Sequence, residues 1–175
     1  GYDIVALVPS CALMLKFEWP LLLPDDPSIK KLSQATFDVS EYVVDIAKRE
    51  GLAPGLTPLD GGVTLHLACH ARAQNMGPKA AEMLRLVPGA QVAVVERCSG
   101  HGGSWGIMLE NFEIALKVGK PVAQQAAKLA RKHVASECPL AASHILQGME
   151  RLDGVEAPTE ALHPIQLFAR AYGVA

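Results

Sequence analysis

Four cysteines, Cys11, Cys69, Cys98 and Cys138, are the residues of this 175-residue chain best suited to chemistry. Each stands at or just past the end of a strand-like segment. Val5 to Val8 leads through Pro9 and Ser10 to Cys11, Val63 to Ala68 to Cys69, Val94 to Arg97 to Cys98, and Val134 to Glu137 to Cys138. A helix-like segment follows each one. The thiolate is the metal ligand, and it is favoured beside a metal or at a helix N-terminus. Cys11, Cys69 and Cys138 each precede a predicted helix, whose free N–H groups and positive dipole end favour anionic sulfur. After Cys98, the glycines Gly100, Gly102 and Gly103 let backbone N–H groups approach a ligand with no Cβ in the way. Thiolates with N–H groups around them suit an iron–sulfur cluster. Four thiolates also suit tetrahedral zinc. No Cys-x-x-Cys pair is present, so zinc is the weaker of the two readings.

The elements that must position these sulfurs follow from the apolar pattern. Strands are predicted at Tyr2 to Val8, Val63 to Ala68, Gln91 to Val95 and Val134 to Glu137. The first is apolar enough to read as buried. Helices are predicted from Cys11 to Leu23, bent or ended by Pro20, and from Ser28, as N-cap, to Ala35. Another opens at Asp38-Val39-Ser40-Glu41 and closes at Gly51. Cys69 to Gly77 reads as a polar loop, and Pro78 opens a helix that Gly89 ends. Further helices are predicted from Trp105 to Val118, from Pro121 to Lys132, from Pro139 and from His163-Pro164. This alternation predicts an α/β fold of three layers: an open, mainly parallel sheet of about four strands with helices on both faces. In such a sheet the carboxyl ends of the strands share one edge, where ligands bind. The cysteines are expected to converge there.

Length and composition narrow the function classes. A chain of 175 residues with 50% hydrophobic residues and a net charge of −2 reads as one globular domain. The near-neutral balance gives no footprint for nucleic acid. No apolar stretch is long enough to span a bilayer, and no leader pattern is present. A cytoplasmic location is expected, and with it cysteines that bind metal or catalyse rather than form disulfides. The chain opens on Gly1-Tyr2-Asp3 without methionine, and a fragment or a processed chain is expected.

The motifs in combination are more specific than any alone. Leu65-His66-Leu67-Ala68-Cys69-His70, Glu82 to Gly89, Cys98-Ser99-Gly100 with Gly103, Trp105 and Gly106, Glu110-Asn111, and Ser136-Glu137-Cys138 resemble the cysteine-rich CCG domain. That domain occurs in the B subunit of heterodisulfide reductase, the iron–sulfur subunit of glycolate oxidase and the C subunit of anaerobic glycerol-3-phosphate dehydrogenase. Ser10-Cys11 with Leu15, Glu18 and Pro20 resembles the close of a preceding repeat. The resemblance covers nearly the whole chain and is weakest from Ala53 to Gly61.

The resemblance implies an iron–sulfur cluster, of 4Fe–4S type and oxygen-sensitive, that relays electrons between a flavin dehydrogenase and a quinone or disulfide acceptor. Cys69, Cys98 and Cys138 match cysteines of the repeat, and Cys11 matches a terminal cysteine of the one before. Ser99 stands where the family has the second of two adjacent cysteines, and Ala141 where it has the closing one. A five-cysteine set is therefore incomplete, whereas four thiolates including Cys11 are available. The implied partners are a flavoprotein, a ferredoxin-like module and a quinone, the last through peripheral attachment to the inner membrane.

Other residues near the motifs carry alternative readings. His70 either ligates, donates a hydrogen bond or caps a helix. His101, in the glycine loop, faces the site and is able to replace a thiolate. Ser99 is a weak ligand, a donor to sulfur or a neutral replacement. His66, between Leu65 and Leu67, reads as a core or face histidine. His133, His144 and His163 read as surface or helix-end residues. Glu18 pairs with Lys16 or Arg97, or is solvated. Trp105 anchors the loop, and Leu13, Met14 and Leu15 are core or dock a missing repeat. Two functions compete with electron transfer: a docking module whose cluster site has decayed, and a thiol enzyme with Cys98 as nucleophile beside His101.

Overall fold

In the computed structural model, which describes residues 1–174, the first strand, β1 (Ile4–Ala6), leads into α1 (Pro9–Leu13). A π-helical turn, Met14–Glu18, joins α1 to α2 (Trp19–Leu22) without a break. Pro20 explains the widened turn. It has no N–H for the Lys16 carbonyl four residues back. That carbonyl instead accepts the Ser33 hydroxyl at 2.6 Å. Ser33 lies on α3 (Pro27–Ala35), which Asp26 caps by accepting the Ser28 N–H at 2.7 Å. The N-cap is thus Asp26 rather than Ser28. β2 (Thr36–Asp38) runs straight into α4 (Val39–Arg49). Asp38 and Glu41 close a reciprocal capping box there, and Lys16 reaches Glu41 at 2.6 Å rather than Glu18.

The second half follows the alternating pattern. β3 (Val63–His66), α5 (Cys69–Ala73), α6 (Lys79–Arg85) and β4 (Val92–Val95) come first. A 3₁₀ turn at Trp105–Ile107 precedes α7 (Phe112–Leu129). β5 (His133–Ser136), α8 (Pro139–Glu150), β6 (Ala161–Leu162) and α9 (Pro164–Ala171) complete the fold. The two helices expected around Pro121 are one. Pro121 is exposed, so the bond it cannot make to Lys117 leaves a carbonyl that water can reach.

The main sheet has four parallel strands in the order β4-β3-β5-β6. The count and direction match the expectation, but the membership does not. β1 is not in this sheet. It pairs in parallel with β2 as a separate two-stranded sheet, with Ile4 39% and Val5 37% exposed. β6, too short for the sequence pattern to reveal, takes the fourth place. The expectation of a buried first strand is corrected accordingly.

Period-two alternation divides the core into two faces. Val63, Leu65, Ala135 and Leu162 pack with Ala80, Ala81 and Leu84 of α6 and Leu167 of α9. Val95 and Val134 face the other way, onto Val122 and Ala126 of α7 and Ile145 and Met149 of α8. A third cluster seats α4 behind α6 and α9 through Val44, Met83 and Phe168. Each large apolar side chain so buried contributes about 1.5–3 kcal/mol. Three layers result, with all carboxyl strand ends on one rim.

Candidate functional site

That rim carries three of the four thiols. His66 of β3 lies beside Val95 of β4 on one side and Ser136 of β5 on the other. Cys69, Cys98 and Cys138 follow those three residues by two or three positions, so they leave adjacent strand ends. Cys11 does not reach the rim from a strand of this sheet. It is the third residue of α1 rather than a residue preceding it, and α1 packs against α5, which Cys69 opens. Gln74, just past α5, donates from Nε2 to the Pro9 carbonyl at 3.2 Å and ties the two helices together. Cys11, Cys69 and Cys98 are exposed free thiols and Cys138 is half-buried.

The rim is braced by a buried histidine. His66 Nε2 contacts the Arg97 carbonyl at 2.8 Å and Nδ1 contacts the Ser136 hydroxyl at 2.9 Å. A carbonyl only accepts, so Nε2 carries the proton and Nδ1 accepts from Ser136. The Ser136 oxygen in turn accepts the Cys138 N–H at 3.3 Å. Residues from β3 and β5 and from the Cys98 loop are thus held in one chain of hydrogen bonds. Burial lowers the pKa of His66, against the raising effect of the Arg97 carbonyl, which keeps the ring neutral. The reading of His66 as a satisfied core histidine holds.

The Cys98 loop is seated on α7. Gly100 has φ +87°, and a Cβ there would collide with the Ala115 carbonyl oxygen. A Cβ on Gly119, one turn further along α7, would strike the Ser99 carbonyl oxygen. Two bare glycine positions therefore face each other, and Ser99 is buried between loop and helix. The Gly100 N–H points back at the Cys98 sulfur, 3.4 Å away. The Gly103 N–H donates to His101 Nδ1 at 3.0 Å, and Gly102 lies under the Trp105 ring. Gly102 and Gly103 thus shape the loop around its own side chains.

His101 is the one predicted site residue that meets a thiol side chain to side chain: its Nε2 lies 3.7 Å from Cys138 Sγ. The pair shifts in opposite directions. Burial pushes the Cys138 thiol up, but the His101 contact and the N–H groups of Ala141 and Leu140 outweigh it, and the pKa falls. The same contact raises His101, against burial. The proposed Cys98–His101 pair is replaced by Cys138–His101. His70 is exposed on α5 and does not cap it, since Ala68 holds the N-cap position.

Three buried residues went unassigned or misassigned in the sequence. Glu137 is buried behind the rim and accepts the Ala68 N–H at 2.9 Å, binding the Cys69 and Cys138 segments together. Burial raises its pKa from 4.5 to about 7. Ser136 links His66 to Cys138, as described. His144, expected at the surface, is buried on α8 with its ring edge-on to Phe112. Ser136 and Glu137 belong to a motif already singled out, but their roles, like the burial of His144, depend on partners distant in sequence.

Four free thiols are the donor type that iron–sulfur clusters take. Among the described residues no three His, Cys, Asp or Glu side chains gather at the span of one metal ion. A cluster takes its thiolates on separate irons and so draws them from a wider ring. Among the described residues, no helix is long and apolar enough to cross a membrane.

The resemblance to the C subunit of anaerobic glycerol-3-phosphate dehydrogenase is borne out by the known proteins to which this chain is similar. The chain is 24% identical over 172 residues to the C subunit of anaerobic glycerol-3-phosphate dehydrogenase from Escherichia coli K12, covering 98% of this chain and 41% of that one. It is 27% identical over 177 residues to the B subunit of fumarate reductase (CoM/CoB) from Methanothermobacter marburgensis, covering 98% and 33%. It is 30% identical over 109 residues to lactate utilization protein A of Geobacillus kaustophilus, covering 57% and 44%. No family model matches the chain. The chain therefore spans only 41% and 33% of the length of the first two of these relatives, which are subunits of a dehydrogenase and a reductase.

Proposed function

We propose that the chain is an electron-transfer module of an oxidoreductase complex, holding an iron–sulfur cluster through Cys69, Cys98, Cys138 and Cys11. The observation that carries this is the departure of three thiols from three adjacent parallel strand ends, with the fourth on a helix packed against α5. A bound cluster would supply one-electron chemistry, its potential set by cluster type, hydrogen bonds and exposure. The chain's own residues do the positioning. His66 and Ser136 fix the spacing of the Cys98 and Cys138 segments, Glu137 ties in Cys69, and the Gly100 N–H supports the Cys98 sulfur. As the sequence resemblance implies, the proposal includes a 4Fe–4S cluster, a flavoprotein donor, a ferredoxin-like module and a quinone or disulfide acceptor reached at the membrane surface.

Anaerobic purification with iron and sulfide assay and a visible spectrum tests the reading. The wild-type chain is expected to hold iron and sulfide, and Cys98→Ser to lose most of both. Wild type without iron, or Cys98→Ser loaded like wild type, overturns it. A docking module with a decayed site is the second reading. It is favoured by the burial of Ser99 and Ala141, which withdraws both replaced ligand positions from the rim, and an iron-free wild type would leave it standing.

A further inference from the structure

We propose that His101 is a positioning residue for Cys138: it donates its Nε2–H to the Cys138 sulfur and raises the reduction potential of the bound cluster. This rests on the rim holding an iron–sulfur cluster. The contact between Nε2 and Sγ is 3.7 Å, within reach of an N–H donor to sulfur. The proton's place on the ring follows from the other nitrogen. Nδ1 lies 3.0 Å from the Gly103 nitrogen, a donor, and 3.2 Å from the Gly103 carbonyl, an acceptor; the shorter contact favours a bare Nδ1 with the hydrogen on Nε2. Ligation of iron through Nε2 would require the opposite tautomer, with Nδ1–H on the Gly103 carbonyl at the longer distance of 3.2 Å. The geometry favours donation over ligation.

Both partners are held from behind. The His101 carbonyl accepts the Gly106 N–H at 2.7 Å, and a Cβ on Gly106 would collide with that carbonyl. Cys138 is fixed by its N–H to Ser136, and through Ser136 to His66. The backbone that carries the imidazole is therefore held by Gly106, and the ring is held by the Gly103 N–H on Nδ1. The two replaced positions add weight. Ser99 is 5% exposed and Ala141 1%, so neither offers the rim a polar side chain, and His101 supplies one in their stead. A donor to a ligand sulfur stabilises the extra electron of the reduced state, and outer-shell partners of this kind tune the site they surround.

The test uses the full chain, purified without air, as wild type, His101→Leu and His101→Gln. Iron and sulfide per chain are measured beside the midpoint potential from a redox titration followed by visible absorbance and electron paramagnetic resonance. Both variants are expected to load. The His101→Leu potential should fall below that of wild type, and His101→Gln, which keeps an N–H donor, should recover part of the drop. Loading of the glutamine variant but not the leucine variant also supports the proposal. A fully loaded His101→Leu at the wild-type potential overturns it while the cluster reading survives. Failure of both variants to load overturns it in favour of ligation by the ring. A wild type without iron overturns both at once.

Discussion

At the amino ends of the strands, Asp60, Lys132, His133, Glu160 and Arg170 line an open cleft of about 640 Å³. Most of its charges are paired: Lys132 bonds Asp60 at 3.0 Å, Arg170 bonds both oxygens of Glu160 at 2.7 and 3.1 Å, and Arg131 spends Nη1 on the neutral Gln91 at 2.8 Å, with Glu156 exposed at the edge. At the carboxyl ends the hollow beside Glu137 is smaller, about 330 Å³, but the thiols around that rim are free. Their supports are backbone N–H groups, glycine clamps and a buried imidazole. The difference separates room from chemistry. The larger cleft holds charge that is mostly paired, and the narrower rim holds unspent donors that neighbouring segments keep in place.

The sharpest way to break that contrast is to unseat the Cys98 loop. Gly100→Ala adds a Cβ against the Ala115 carbonyl and also forces a left-handed φ on a residue that resists it. Overpacking costs about 1–3 kcal/mol and the left-handed conformation about 1–2. A loss on the order of 4 kcal/mol is expected in urea unfolding of the metal-free chain. An unchanged midpoint would mean that the loop is not clamped to α7.

A smaller effect separates the rim from the opposite end by pH. Glu137 has its folded pKa raised to about 7 by burial, above the ordinary 4.5. A raised pKa means that the folded state holds the proton more tightly, so this contribution is complete below pH 4.5 and is lost as pH rises through 7. At ~1.4 kcal/mol per pH unit the span corresponds to about 3 kcal/mol. Buried Asp38, also raised, adds in the same direction, and His66, lowered by burial, opposes it. The difference between wild type and Glu137→Gln isolates the one group. The substituted amide carbonyl still accepts the Ala68 N–H, so the variant should be as stable as wild type at pH 4.5 and more stable at pH 8. Parallel pH profiles would show that Glu137 is not buried as described.

How much of this was legible depended on distance along the chain. Cys69, Cys98 and Cys138 sit where an apolar run stops, a local pattern, and the parallel sheet follows from strands alternating with helices. Cys11 shows the same local pattern, yet β1 joins β2, because a three-residue apolar run does not say which sheet it enters. The capping box of Asp38 and Glu41 was readable, because its two members are close neighbours in the chain. The chain of bonds from Arg97 through His66 and Ser136 to Cys138 was not, since its links span 31 and 70 residues. His101 was singled out for its place in the loop, but its partner was mistaken, because only folding brings the start of α8 beneath it.

The opposite end supplies the mildest prediction and the control. Arg170→Ala breaks a bidentate pair whose side chains are 34% and 53% exposed. Water and salt screen such pairs, and at physiological ionic strength the field dies away over about 8 Å. The two ends of β5 are separated by the whole strand, His133 to Ser136, and the charge removed faces the cleft. The urea midpoint and the iron and sulfide content of Arg170→Ala are therefore expected to match wild type within error. A variant that unfolds normally but loses iron would show that the paired charges reach the rim through the sheet. The two ends would then act as one site, and the division between mostly paired charge and unspent donors would fail.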